Sequence, residues 1–171
     1  IIRRYYAALC DAKKGRISKD VVAKLELLMS KSGISVEDRK AVAPALEKAE
    51  QTGGPAVAIE LNDGRIVTGK TGTLLGAAAA CLLNALKALG GIDDKKELIS
   101  PTIIEPLQRL KVKHMGAVNP RLHTDEVLMA LAICAVNDPK AKKAVAQLDK
   151  LKNCEAHSTV ILSDVDAGVF K

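Results

Sequence analysis

The spacing of apolar residues changes near residue 55, and that change divides the chain. Before it, apolar positions recur at helical intervals. Residues 1–14 read as one helix ending at Gly15. Ser18 caps a second, whose Val22, Leu25, Leu28 and Met29 share a face before Gly33 closes it. A third is predicted from Ser35, where Asp38 offers a carboxylate to the helix start and Pro44 is expected to kink or interrupt the helix. The stretch QTGGP, residues 51–55, is a break. Beyond it Val57, Ile59 and Leu61 alternate with Ala58 and Glu60, the period of a half-buried strand. The organisation expected is a helical subdomain over 1–52 followed by an α/β subdomain over 55–171.

The second part alternates strands with helices. Asn62, Asp63 and Gly64 supply a hairpin turn, and Arg65 to Thr68 is β-branched enough to be its return strand. A helix over 73–89 is apolar on most of its circumference, which predicts burial against a sheet. Ser100 and Pro101 open another helix, with a bend expected at Pro106. Thr124, as N-cap, opens a third, and Asp138 with Pro139 a fourth running to about Leu151. Residues 156–162 read as a strand and Ser163 as the start of a last helix. The predicted sheet joins the hairpin of 56–61 and 65–69 to the strand at 156–162, with helices on both faces.

One motif requires a decision between two structures. The stretch GRIVTGKT, residues 64–71, matches the phosphate-loop pattern G-x-x-x-x-G-K-[ST] at every position. That chemistry needs a loop whose backbone N–H groups converge on phosphate oxygens. Ile66 and Val67 are strand formers, so the segment reads as the return strand of the hairpin. What survives is its end, where Lys70, Thr71 and Thr73 lie at a strand-to-helix junction and can meet a carboxylate or phosphate at a helix N-terminus. Thr73 as a plain N-cap beside a surface lysine is the alternative. Lys70 to Thr73 also matches the Lys-Thr-Gly motif of penicillin-binding enzymes, but the Ser-x-x-Lys nucleophile those enzymes need is missing.

Composition narrows the function classes. The net charge of +6 comes from basic residues mixed with acidic ones, the pattern of solvated helix faces. Tyr5, Tyr6 and Phe170 are the only aromatic residues, which argues against a nucleic-acid platform. The longest apolar run, Leu74 to Leu83, is too short to span a bilayer, and a cytoplasmic location is expected. Cys10, Cys81, Cys134 and Cys154 are widely spaced and read as reduced. Cys154 with His157, supplemented by His114, His123 and Asp125, resembles a metal or nucleophile set. A strand beginning at 156 would turn Cys154 and His157 to opposite faces, so no metal and no catalytic residue is assigned. The beginning without Met and the cut after Lys171 suggest a fragment.

Three segments carry a family resemblance: IIRRYYAALCDAKKG, then ELNDGRIVTGKTGTLLGAAAACLLNALKALGGIDD, then SPTIIEPLQRLKVKHMGAVNPRLHTDEVLMALAICA through LKNCEAHSTVILSDVD. Together they closely resemble the C-terminal part of the bacterial family catalogued as domain of unknown function 1846. The resemblance implies that an N-terminal α/β portion is missing here. It also implies a helical subdomain followed by a three-layer α/β sandwich similar in topology to cytidine deaminases. The deaminase reaction is not implied, because His123 and His157 lack the following Glu and no Cys pair exists. The function expected is a contribution to a small anionic ligand or substrate site of the full-length protein. Lys70, Thr71, Thr73, His123 and Glu155 would surround a cleft shared with the N-terminal portion. A structural or homo-oligomerisation role is the alternative, and no cofactor is indicated.

Overall fold

Two strands, β1 (Ala56–Glu60) and β2 (Ile66–Lys70), form the predicted antiparallel hairpin. Gly64 supplies its turn with φ +84°, a left-handed conformation that suits glycine. Asp63 fixes the turn by accepting from the backbone N–H and the guanidinium of Arg65. Between the glycines of GRIVTGKT, Ile66, Val67 and Thr68 are therefore strand, with Val67 opposite Ile59 and, just beyond, Gly69 opposite Val57. A third strand, β3 (Glu155–Ser158), pairs antiparallel with the other side of β1, giving the order β2-β1-β3. β3 ends well short of Leu162. Ser158 Oγ donates to the Val160 carbonyl and accepts from the Val160 N–H, a side-chain turn that takes the chain off the sheet.

Helices lie on both faces of this sheet, in a computed structural model that describes residues 1–171. α3 (Val42–Thr52) covers one face, where Ala41, Ala45 and Ala58 meet with no exposed surface. α4 (Ala77–Gly90) covers the other, where Val57, Ile59 and Leu61 pack on Ala78, Cys81 and Ala85. β1 is thus buried on both sides, which explains alanine at the alternate positions where a solvated strand would carry polar residues. The far side of α4 forms a second core with α5 (Pro101–His114), α6 (Thr124–Cys134) and α7 (Pro139–Val145), built around Leu83, Leu86, Ile104, Leu122, Val127 and Leu131. Buried on both sides, α4 is apolar nearly all round. α1 (Ile2–Lys13) and α2 (Lys19–Lys31) pack together, and α8 (Asp164–Val169) lies against α6. The whole is a mixed, α+β arrangement, and no helix is long and apolar enough to cross a membrane.

Several element starts differ from the sequence reading. In place of one helix kinked at Pro44, a short 3-10 turn (Val36–Asp38) precedes α3, which begins just before the proline. Pro44 then sits in the first turn, where its missing N–H has no intrahelical partner to lose. α4 begins at Ala77 behind Gly76, so Thr73 is not its N-cap. α6 is capped at His123 and not at Thr124, and the helix expected to reach Leu151 ends at Val145, followed by a 3-10 turn over Leu148–Leu151. α5 runs through Pro106 without ending.

β2 and α4 approach closely at Gly69. A Cβ added to Gly69 would lie 2.5 Å from Cys81 Cα and 2.7 Å from Cys81 Cβ, inside any permitted contact. Gly69→Ala is expected to destabilise the protein by about 3 kcal/mol, because the helix must move off the sheet to admit one methyl group. Urea unfolding measures this, and an unchanged midpoint would show that the contact does not constrain the fold.

Candidate functional site

The connection between β2 and α4, residues 71–76, is tied down along its length. Thr71 N–H donates to the Pro55 carbonyl at 3.0 Å, and Gly72 N–H to that of Leu75 at 3.0 Å. Leu75 bridges Leu122, with Leu122 N–H on the Leu74 carbonyl at 3.0 Å and Gly76 N–H on the Leu122 carbonyl at 3.3 Å. Arg121 Nε reaches the Gly72 carbonyl at 2.6 Å, and Gln108 Nε2 reaches that of Thr73 at 3.0 Å. This lacing joins the segment after Lys70, Thr71 and Thr73 to Arg121 and Leu122, the two residues before His123. It also covers the start of α4: Ala77, Ala78 and Ala79 are buried, so their free N–H groups do not face a solvent-borne anion.

His123 belongs to a capping arrangement. Its N–H donates to Glu126 Oε2 at 2.7 Å, and the same oxygen accepts from the buried Lys111 Nζ at 2.8 Å. Lys111 also donates to the Arg121 carbonyl at 2.7 Å, tying α5 to the loop before α6. His123, Asp125 and Glu126 offer ligand atoms within 4.8 Å of one another. Their carboxylates are already engaged, Glu126 by Lys111 and Asp125 by the Glu126 N–H, so the trio is explained by the helix start it builds. Thr124, expected as the cap, is fully buried and donates through both N–H and Oγ1 to Asp166 Oδ1, each at 2.9 Å.

Glu155 lies elsewhere. It faces Glu60 on one outer strand, whereas Lys70 faces Ala56 at the opposite end of the other outer strand. Its carboxylate accepts from Arg39 Nη2 at 2.6 Å and lies 3.5 Å from Arg3 Nη1. These residues border a cavity of about 630 Å³ along β3, whose wall also includes His157, Ser158 and Phe170. Arg39 was absent from the sequence reading, since nothing local marks a residue whose partner is 116 positions away. Cys154 and His157 do turn to opposite faces. Cys154 packs with the cluster under α4, while the His157 ring stands edge-on to Tyr6 at 4.6 Å. Burial pushes the Cys154 thiol up, and burial followed by the Arg39 charge pushes His157 down, so neither is tuned as one half of a nucleophile pair. His114 stands at the exposed end of α5.

The family described as domain of unknown function DUF1846, C-terminal, matches residues 37–171, from the 3-10 turn before α3 to α8. The chain belongs to this family. A UPF0371 protein of Corynebacterium glutamicum is 52% identical over all 171 residues, which make up 34% of that protein. A UPF0371 protein of Corynebacterium efficiens is 53% identical over the same span and share, and one of Streptococcus thermophilus is 51% identical over 35% of its length. The chain thus spans about a third of the length of the curated relatives it matches.

The state of His157 has a consequence for stability. Its folded pKa lies below 6.5, so at mildly acidic pH the unfolded chain takes up a proton that the folded one refuses. The stability His157 contributes is complete above pH 6.5 and is lost as pH falls from there through the folded value. Denaturant midpoints measured between pH 8 and 5 should fall, and His157→Gln should flatten the part of that fall centred below pH 6.5. An equal fall in the variant would remove His157 as its source.

Proposed function

We propose that these residues act as a non-catalytic docking domain of the full-length DUF1846 protein, a structural role for the polypeptide around them. The observation that carries this is the outward face of α6. Met129 and Ile133, one helical turn apart on α6, and Val136 in the turn that follows it are 59%, 73% and 78% exposed. Relatives of this chain carry roughly twice as much additional polypeptide, which is ample to cover it. In this reading a helical subdomain, 1–52, is followed by an α/β subdomain, 55–171, organised as a three-layer sandwich. The order β2-β1-β3, with α3 and α4 on its two faces, supports a topology like that of cytidine deaminases. Ile133→Glu in the full-length protein is expected to lower its stability by about 2 kcal/mol, the worth of one buried aliphatic side chain. An unchanged unfolding midpoint would mean that this face stays in solvent and would sink the docking reading.

A second reading, a small anionic ligand at Lys70, Thr71 and Thr73, has its own support. Lys70 and Arg121 flank Gly72, and neither takes part in an ion pair. This reading takes His123 as a rim residue on the strength of the neighbouring Leu75–Leu122 bridge, and leaves out Glu155, which lies at the other end of the sheet. In this reading the site binds without hydrolysing nucleotide, since the carboxylates of Asp125 and Glu126 beside His123 are already engaged by the Glu126 N–H and Lys111. Lys70→Ala in the full-length protein should weaken binding of a phosphate- or carboxylate-bearing ligand by about 1–3 kcal/mol, the value of a charge-assisted hydrogen bond. Folding stability should not change. Equal affinity for pyrophosphate and citrate in variant and parent would return Lys70 to a plain surface charge.

A further inference from the structure

β3 is an edge strand whose outer backbone is open. Thr159 N–H donates to the Ala56 carbonyl, which sets the register: His157 exchanges hydrogen bonds with Ala58, while Ala156 and Ser158 point their N–H and C=O groups away from β1. Of these four outward groups one is used, the Ala156 carbonyl, which accepts from Arg39 Nη2 at 2.7 Å. The Ala156 N–H and both backbone groups of Ser158 have no partner. Natural sheets blunt such edges with charges, proline or a covering element, and along Ala156 to Ser158 the Arg39 guanidinium does so at the Ala156 carbonyl, leaving the other three groups open. On the opposite edge the Thr68 carbonyl of β2 likewise accepts from a side chain, Asn84 Nδ2 on α4, at 3.0 Å.

The space beside that open edge has volume enough for a short strand. A four-residue strand is ~13 Å long, and at ~4.8 Å between strands and ~10 Å between packed layers it fills roughly 600 Å³. β3 has four residues, and the cavity along it measures about 630 Å³. Its lining includes the buried Ile59 and Leu82 from the α4 side together with Arg39 and His157 from the α3 side. Arg39 Nε is buried beside Glu155 with no partner.

We propose that the β3 edge accepts a β-strand from the part of the full-length polypeptide that lies outside these residues, extending the sheet by one strand beyond β3. The inference rests on the docking reading and names the element that docks. The relatives supply the occupant, since about two thirds of their length lies outside the matched segment. The cavity supplies its chemistry: apolar side chains toward Ile59 and Leu82, alternating with polar or acidic ones toward Arg39, whose Nε gains an acceptor. Backbone pairing satisfies the outward groups of Ala156 and Ser158.

Amide hydrogen exchange of the full-length protein tests this, read residue by residue by mass spectrometry with electron-transfer fragmentation. The N–H groups of Ala156 and Ser158 should exchange within about tenfold of His157, which is paired to β1. Exchange a hundredfold or more faster than His157 overturns the strand, while a loss of stability in Ile133→Glu would still uphold docking. If Ile133→Glu is silent, the docking reading fails first. Ser158→Pro gives a second measure, because it deletes an outward N–H and leaves the β1 ladder intact. It should lower the melting temperature of the full-length protein by several degrees more than Ser158→Ala, which removes only the hydroxyl bonds to Val160. Equal shifts overturn the proposal, as does protection of Ala156 and Ser158 that appears only with concentration-dependent self-association, which would make a second copy the occupant.

Discussion

Everything in this fold leans on the contact of β2 with α4 at Gly69. Where the strand lacks a side chain, the helix backbone at Cys81 comes close enough to exclude a methyl group. The Cys81 thiol donates to the Val67 carbonyl at 3.4 Å, and burial pushes its pKa up to about 12, so it serves as a small packing group and not as a reactive one. With α4 held there, one side of the helix completes the core over the sheet and the other nucleates the core of α5, α6 and α7. The glycine that makes GRIVTGKT look like a phosphate loop is thus required for a different reason. It lets a helix and a strand touch.

The two faces of the sheet are held by different means. On the α4 face, branched side chains of β1 interlock with the helix. On the α3 face the buried contact is a small cluster of alanines, supplemented by ion pairs of Arg39 with Glu155 and Lys40 with Glu60 and by the Tyr6–His157 contact. The Lys40 pair is solvent-exposed and adds little. The α3 layer therefore depends more on a few specific contacts, and several of them converge on β3, the strand with the open edge.

How far the sequence could be read follows from the range of the interactions involved. The hairpin was legible because Asn62, Asp63 and Gly64 encode their turn locally, and the β-branched residues after them decided against a phosphate loop. Ser18, Ser100, Asp138 and Ser163 cap their helices as their types suggest. The starts of α4 and α6 were misplaced because the Leu75–Leu122 bridge, a contact between distant segments, outweighs the capping preference of Thr73 and Thr124. The candidate site divides in the same way. Lys70, Thr71 and Thr73 are sequence neighbours, and the same bridge ties the loop that follows them to Leu122, next to His123. Glu155 is drawn to Arg39 and Arg3, a pairing with no local signature, and so the cavity along β3 was invisible until the chain was folded.

The scarcity of aromatic residues has a practical side. Without tryptophan, the intrinsic ultraviolet fluorescence of the chain comes from Tyr5 and Tyr6, whose rings are 5.3 Å apart on α1, the second standing against His157. An emission signal therefore watches one corner of the molecule, the seat of α1 against β3, and is blind to α4 and the two cores it joins. A fluorescence transition that precedes the loss of helical circular dichroism would register that corner letting go while the rest of the fold is still intact.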